Sequence, residues 1–173
     1  MGRQIALLRG INVGGKNVVA MKDLVHLMED LGCQNVVTYI QSGNVVFDND
    51  NAVTPQTIRQ ALQSELGIAA KVQLLSDAAL RGAIAQNPFS AEDAKTQHYF
   101  FLESAPTDLD GDAIEQAAKE TESWSVVGNV FYLHAPDGIG RSKLAAAVEK
   151  LVGVSATARN GRTVDKLLDM VDA

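Results

Sequence analysis

The chain has one cysteine, Cys33, among its 173 residues. No internal disulfide can form, so nothing in the sequence asks for an oxidising compartment. It has no apolar run near the roughly 20 residues that a membrane-spanning helix needs. Its opening, Met1 to Leu8, lacks the basic stretch, long apolar stretch and small-residue cleavage site of a secretory leader. Together these absences make a cytoplasmic location the expectation. An excess of positive charge is missing as well: 15 Lys and Arg stand against 21 Asp and Glu, a formal net charge of −6. A protein coating long duplex DNA is usually basic, so non-specific nucleic-acid binding is disfavoured. A local basic pocket for a small anion or a short single strand stays compatible with that total. Low-complexity stretches are absent too. With 46% hydrophobic and 21% charged residues, the chain has the composition of one folded domain, or two small ones sharing a core.

Two hydrophobic periods alternate along the chain. Gln4 to Arg9 reads as a mostly buried strand. Met21, Leu24, Val25, Met28 and Leu31 then recur at helical spacing before Gly32. Val36 to Gln41 and Val45 to Phe47 form a hairpin across Ser42-Gly43-Asn44. Thr54-Pro55 is a helix N-cap followed by proline in the first helical position, with Ile58, Leu62 and Leu66 as the apolar stripe and Gly67 as the stop. Lys71 to Leu75 reads as a strand. The order β-α-β-β-α-β is the ferredoxin-like pattern.

Ser76 to Gln86 reads as a linking helix, broken at Asn87-Pro88. The pattern then repeats: a strand over His98 to Leu102, a helix over Asp112 to Glu120, and a hairpin of 125–127 and 130–133 across Gly128-Asn129. A helix over Lys143 to Val152 and a strand over Val154 to Ala158 complete it. Val164, Leu167, Leu168 and Val171 mark an extra C-terminal helix. The expected architecture is therefore α+β, a tandem duplication of ferredoxin-like βαββαβ units with a linking helix and an extra C-terminal helix. The expected bounds are 1–75 for the first half, 76–96 for the link, 97–158 for the second half and 159–173 for the C-terminal loop and helix. Gly43-Asn44-Val45-Val46-Phe47 and Gly128-Asn129-Val130-Phe131-Tyr132 are expected at the same hairpin position in each half.

In such a unit the first two strands run parallel, so the end of the first strand and the hairpin tip share an edge. A first polar cluster then collects Arg9, Asn12, Gly14, Gly15, Lys16 and Asn17 with Gln41, Ser42 and Asn44. In the second half, the third and fourth strands both descend into loops at the opposite edge. A second cluster there holds Gly140, Arg141, Ser142 and Lys143, with Arg159, Asn160 and Arg162 in an exit loop. Glycines let backbone N–H groups approach a ligand, a helix N-terminus adds unpaired donors, and Arg grips a phosphate or carboxylate at two points. The plainer reading of both clusters is turn-forming glycine with solvated cations.

Several motifs fall short. Gly10 to Asn17 nearly spells G-x-x-x-x-G-K-[ST], but Asn17 replaces the Mg²⁺-holding hydroxyl and Val18-Val19-Ala20 delays the helix. Gly138-Ile139-Gly140 follows an antiparallel hairpin, the wrong setting for a dinucleotide fingerprint. Asp108 to Asp112 suggests a calcium loop, but Ala113 and Lys119 are wrong for its sixth and twelfth positions; helix-start acids are the better reading. His26, His98 and His134 lack metal spacing, Cys33 reads as a small buried residue, and Ser42 lacks a nucleophile-elbow setting. No metal or cofactor is expected, and no acid, base and nucleophile set emerges.

Ile5 to Asn17, Thr38 to Phe47, Asn87-Pro88-Phe89, Gly138 to Leu144, and Thr157 to Asn160 with Arg162-Thr163-Val164 together resemble the bacterial family known as domain of unknown function 1697. The resemblance runs over essentially the whole chain. It implies a small cytosolic bacterial protein with an α+β fold and no assigned activity, and it supplies no catalytic residues. Gly161 departs from the bulky, often aromatic residue that the family carries there. If that side chain shapes a pocket or docks the last helix, this chain has lost part of that role.

The leading functional expectation is binding of a phosphate-bearing or nucleotide-like ligand through Arg9, Lys16, Arg141, Lys143 and Arg159. Single-stranded RNA recognition on a ferredoxin-like sheet ranks below it, because such platforms need exposed aromatics on the central strands; the first strands show Ile, Ala and Leu, and Phe100 and Phe101 are too few. Two further candidates are an enzyme using Asn12, Ser42 and Asn160, and a structural or oligomer-forming protein. No membrane partner is expected, and the oligomeric state stays open.

Overall fold

The computed structural model describes residues 2–50 and 53–173. Among these, eight strands and six α-helices form an α+β structure with two four-stranded antiparallel sheets. The chain divides into two compact units, one running to Arg81 and including Lys166–Ala173, the other Gly82–Asp165.

The first unit contains β1 (Gly2–Arg9), α1 (Met21–Asp30), β2 (Gln34–Tyr39), β3 (Asn44–Asn49), α2 (Pro55–Leu66) and β4 (Lys71–Ser76). Its sheet order is β2-β3-β1-β4. The unbroken apolar run Ile5 to Leu8 suits β1 to a central position, and all four residues are fully buried. Ala6, Leu8, Val45 and Phe47 project from one face of the sheet onto Leu24, Leu27 and Met28 of α1 and Ile58 and Leu62 of α2. These are the 3.6-residue stripes meeting the period-2 face. Helix α2 is fixed at both ends: Thr54 and Thr57 form a capping box, and Gly67 ends the helix at φ +65°.

The β2–β3 connection is four residues, Ile40 to Gly43, rather than the three-residue turn at 42–44 that the sequence suggests. Asn44 is already in the strand, opposite Leu7. Gly43 lies at φ +87° and is packed so closely on β1 that a Cβ there would stand 2.6 Å from Leu8 Cβ and 2.9 Å from Ile11 Cδ1. That approach lets Leu8 N–H donate to Gly43 C=O at 2.8 Å.

The second unit contains β5 (Gln97–Leu102), α4 (Gly111–Ala117), β6 (Ser123–Val127), β7 (Val130–His134), α5 (Lys143–Val152) and β8 (Ala156–Asn160). Its sheet order is β6-β7-β5-β8. Phe100, Leu102, Phe131 and Leu133 pack onto Ile114 of α4 and Leu144 and Val148 of α5. Trp124 is partly buried against this core, stacked on Phe131, and its indole N–H reaches Glu115 at 2.6 Å. Leu102 N–H donates to Asn129 C=O at 2.8 Å, the counterpart of the Leu8–Gly43 bond. Asn129 is thus the ladder equivalent of Gly43, so the two Gly-Asn pairs are one residue out of step. Hairpin register follows loop length, and these two loops differ in length.

Helix α3 (Asp77–Ala85) and helix α6 (Gly161–Asp172) complete the chain, and the division between units falls within both. Arg81 bridges Asp77 and Asp172. Arg3 holds the last turn of α6, donating to the carbonyls of Met170 (3.4 Å), Val171 (3.4 Å) and Ala173 (2.7 Å). Three sequence expectations need correction here. Helix α4 stops at Ala117, because the following turn is held by Lys119 N–H on the Glu122 carboxylate at 2.9 Å. Strand β8 covers 156–160 rather than 154–158. The expected exit loop 159–163 does not exist: Asn160 ends the strand and caps α6, accepting from Thr163 N–H at 2.9 Å. Gly161 fits this junction because a Cβ would lie 2.6 Å from the Ala94 carbonyl oxygen.

The Gly43 geometry predicts an unequal pair of substitutions. Gly43→Ala adds left-handed strain and a steric collision, about 2–4 kcal/mol in urea unfolding. Gly128→Ala, also at positive φ but in open space, loses only about 1–2 kcal/mol of stability, from backbone strain alone. Equal losses would show that the close approach to Leu8 is not limiting.

Candidate functional site

The segment after β1 is built by its asparagines. Asn12, at φ +52°, donates through Nδ2 to Gln41 C=O (2.8 Å) and Val19 C=O (3.1 Å), and its Oδ1 accepts from Val19 N–H (2.8 Å). One side chain therefore ties both ends of the loop to the hairpin tip. Asn17, at φ +50°, donates to Gly10 C=O at 2.8 Å and Ala69 C=O at 3.3 Å. Gly14 and Gly15, both at positive φ, form the tight turn between Val13 and Lys16. Asn44 is fully buried and donates to Tyr39 C=O and Ser42 Oγ, each at 3.0 Å. Within the first cluster, Asn12 joins the loop to the hairpin tip, whereas Asn17 and Arg9 lie toward the 69–71 segment.

Much of its polar capacity is spent on building the loop. The N–H groups of Asn12 and Lys16 already bond to Asn17 and Val13 carbonyls at 3.0 Å. Helix α1 starts only at Met21. A phosphate cradle of the P-loop kind needs free N–H groups running into a helix N-terminus, and this loop has a different construction. Lys16 remains exposed.

Beside the loop lies a cleft of about 730 Å³, lined by Arg9, Gly10 and Asn17, by Gln56, Arg59, Gln60 and Gln63 of α2, and by residues 68–71. Arg9 and Lys71 are opposite one another at the ends of β1 and β4. The α2 residues stand at i, i+3, i+4 and i+7, one exposed stripe of the helix. Arg59 and the three glutamines have no side-chain partner among the described residues. The cleft therefore has three cationic residues and no carboxylate in its lining. Arg9 and Asn17 are shared with the sequence-derived cluster; Gln56, Arg59, Gln60, Gln63 and Lys71 are additions. Their only sequence signal is a polar helical stripe with one cation, which in isolation is the ordinary solvated face of a helix.

In the second cluster, Ser142 caps α5, accepting from Ala145 N–H at 3.0 Å, and is buried. Gly140, Arg141 and Lys143 flank that cap, with both cations exposed. The β7 end and the β8 end both lie beside the start of β5, through the pairs His134–Gln97 and Asn160–His98. The two segments therefore share one edge of the second sheet. Asn160 is committed to capping α6, and Arg162 sits exposed in its first turn. Arg159 lies within β8, opposite Tyr99, where burial pushes its guanidinium down to about 10. It donates to Ala158 C=O at 2.8 Å.

The Asn87-Pro88-Phe89 break holds a buried network. Asn87 Nδ2 donates to Gln97 Oε1 (2.7 Å) and Tyr99 Oη (2.9 Å), while its Oδ1 accepts from Phe89 N–H (2.9 Å). His98 is buried, and its Nε2 has no hydrogen-bond partner; burial, with nearby His134, lowers its pKa. Cys33 is buried, which raises its thiol pKa and keeps it protonated and weakly nucleophilic. Asp110 caps α4, its carboxylate accepting from Ala113 N–H at 3.1 Å. Among the described residues, no group of three His, Cys, Asp or Glu side chains is arranged to hold a metal ion.

Residues 1–132 match the family described as Protein of unknown function (DUF1697). That stretch includes the whole first cluster and cleft and ends before the second cluster. No curated protein matches the chain. Among solved structures, the chain is similar to the conserved bacterial protein SP0830 from Streptococcus pneumoniae. The two are 24% identical, the alignment covers 98% of each chain and the TM-score is 0.67. At that identity the likeness concerns the fold.

His98 generates a pH prediction. Its pKa is lower folded than unfolded, so the unfolded chain binds the proton more readily. The stability is present above about pH 6.5 and declines as pH falls below that value. His98→Leu should flatten the decline in a series of melting curves from pH 7.5 to 5. An unchanged pH slope would assign the loss to other groups.

Proposed function

The chain belongs to the DUF1697 family of proteins of unknown function, and from that premise we propose that it binds a phosphate-bearing small molecule in the cleft between α2 and the end of β1. One observation carries this reading: Arg9, Arg59 and Lys71 come to one cleft from three different elements, with no carboxylate in the lining, in a chain of net charge −6. In an acidic protein such a cleft is a local positive potential that favours a small anion over a long polyanion. Arg59 adds a planar fork of donors suited to phosphate oxygens.

The competing readings have less support. Tyr99, Phe100, Phe101, Phe131 and Tyr132 are all buried, which leaves no aromatic platform on β5 and β7 for stacking bases. The residues named for an enzyme are engaged in local bonds: Asn12 in the loop, Ser42 with Asn44, Asn160 as a helix cap. We also read the two units as duplicated ferredoxin-like modules, supported by their matching strand orders. A cytoplasmic setting is in keeping with the lone buried Cys33, and no helix among the described residues is long and apolar enough to cross a membrane.

A thermal-shift screen tests the binding reading. Phosphate-bearing compounds at a hundredfold excess over their dissociation constant should stabilise the folded chain by about 2.7 kcal/mol. The Arg9→Gln/Arg59→Gln double variant should lose that shift, and the Arg59→Gln single variant should weaken it while keeping its ligand-free melting temperature. Retention of the shift would move the site elsewhere, with the Arg141–Lys143 segment the first place to look. No shift with any phosphate compound would remove the proposal.

A further inference from the structure

Within that reading, we infer that the ligand is a phosphate monoester with a hydrogen-bonding body, such as a nucleoside monophosphate or a sugar phosphate, and that the α2 glutamines recognise the body. The first ground is size. The cleft, at about 730 Å³, is much larger than a lone phosphate ion and lies within the roughly 300–1,000 Å³ of small-molecule sites. Phosphate contacts alone would leave most of it to water.

The second ground is the chemistry of the remaining wall. Gln56, Gln60 and Gln63 share one face with Arg59, and none of the four side chains has a partner among the described residues. Each carboxamide offers both donors and an acceptor. That mixture matches sugar hydroxyls or a base edge, whereas a bare anion uses donors only. Ile68, Ala69 and Ala70 supply an apolar contribution to the same wall. The third ground is how charge is distributed. Arg9 and Lys71 line the cleft from the paired ends of β1 and β4 and Arg59 lines it from the helix, so cations from three elements converge on one cleft. A stripe along an open surface, the arrangement a polynucleotide backbone follows, is a different pattern.

The glutamines sit where recognition does not compromise folding. All three are exposed, while the core positions of α2 are Ile58, Ala61 and Leu62. The helix is held by its Thr54–Thr57 capping box and by Gly67, independently of the glutamines.

Isothermal titration calorimetry distinguishes this inference from the broader one. The probes are inorganic phosphate, AMP, UMP, glucose 6-phosphate, adenosine and a short RNA. At least one monoester should bind tenfold or more tightly than inorganic phosphate, with adenosine weaker than AMP. Gln60→Leu/Gln63→Leu should abolish that tenfold margin while leaving the inorganic phosphate affinity in place. Arg59→Gln should weaken phosphate and monoester alike. The nucleotide and sugar arms identify which body the amides favour. If inorganic phosphate binds as tightly as every monoester, the inference fails while the anion site stands. If the margin survives in the glutamine variant, the amides are not the recognition element and the inference also fails. Tighter, salt-dependent binding of RNA would overturn it in favour of a polyanion site, and no binding by any probe would sink both readings.

Discussion

The first unit depends on one place where the hairpin backbone packs directly onto side chains of the central strand and the loop after it. Gly43 lies against Leu8 and Ile11 so closely that any Cβ collides, and the contact is sealed by the Leu8–Gly43 hydrogen bond. It pins the β2–β3 hairpin to the central strand at the point where β1 gives way to its loop. Asn12 then reaches from that loop to Gln41 at the hairpin tip. On the other side of β1, Asn17 reaches from the same loop to Ala69, beside the cleft next to α2. Positive φ at Asn12, Asn17 and the β-branched Ile40 marks the local strain that the junction sustains.

A consequence is that the residues that look chemical in this segment divide into two groups. Asn12, Asn17 and Asn44 satisfy backbone groups, as buried or half-buried polar atoms must, and Ser42 accepts from Asn44. The amides and guanidinium of α2 satisfy nothing among the described residues and stay available. The same division runs through the second unit. Asn87 and Gln97 form a closed buried network, and Ser142 and Asn160 cap helices, while Arg141, Lys143 and Arg162 remain exposed. Polar residues in tight loops are therefore poor witnesses to ligand chemistry here.

Order and type of elements are legible because hydrophobic period is a local property. The run Ile5 to Leu8, the stripes of α1, α2 and α5, the Thr54-Pro55 start and the Gly67 and Gly153 stops identify their elements from neighbouring residues alone. The second hairpin is legible for the same reason. The first is displaced, because Gly-Asn signals a turn without saying how many residues it spans. The β8–α6 junction looks like a loop in sequence because Asn160-Gly161 has turn composition. In the structure, Asn160 serves as the helix cap, and Gly161 is set by the carbonyl of Ala94, 67 residues away in sequence.

The sequence by itself determined the alternation of elements, the membership of the two cores, the acidic total charge and the edge on which the first polar loop lies, since each depends on residue type and short-range spacing. Tertiary structure decided which polar residues are consumed and which are offered. It set Arg59 and three glutamines of α2 beside Arg9 and Lys71, residues up to 62 positions apart whose convergence no periodicity encodes. The reason is physical: burial and hydrogen-bond commitment are properties of neighbours in space, and these are settled only when the elements pack together.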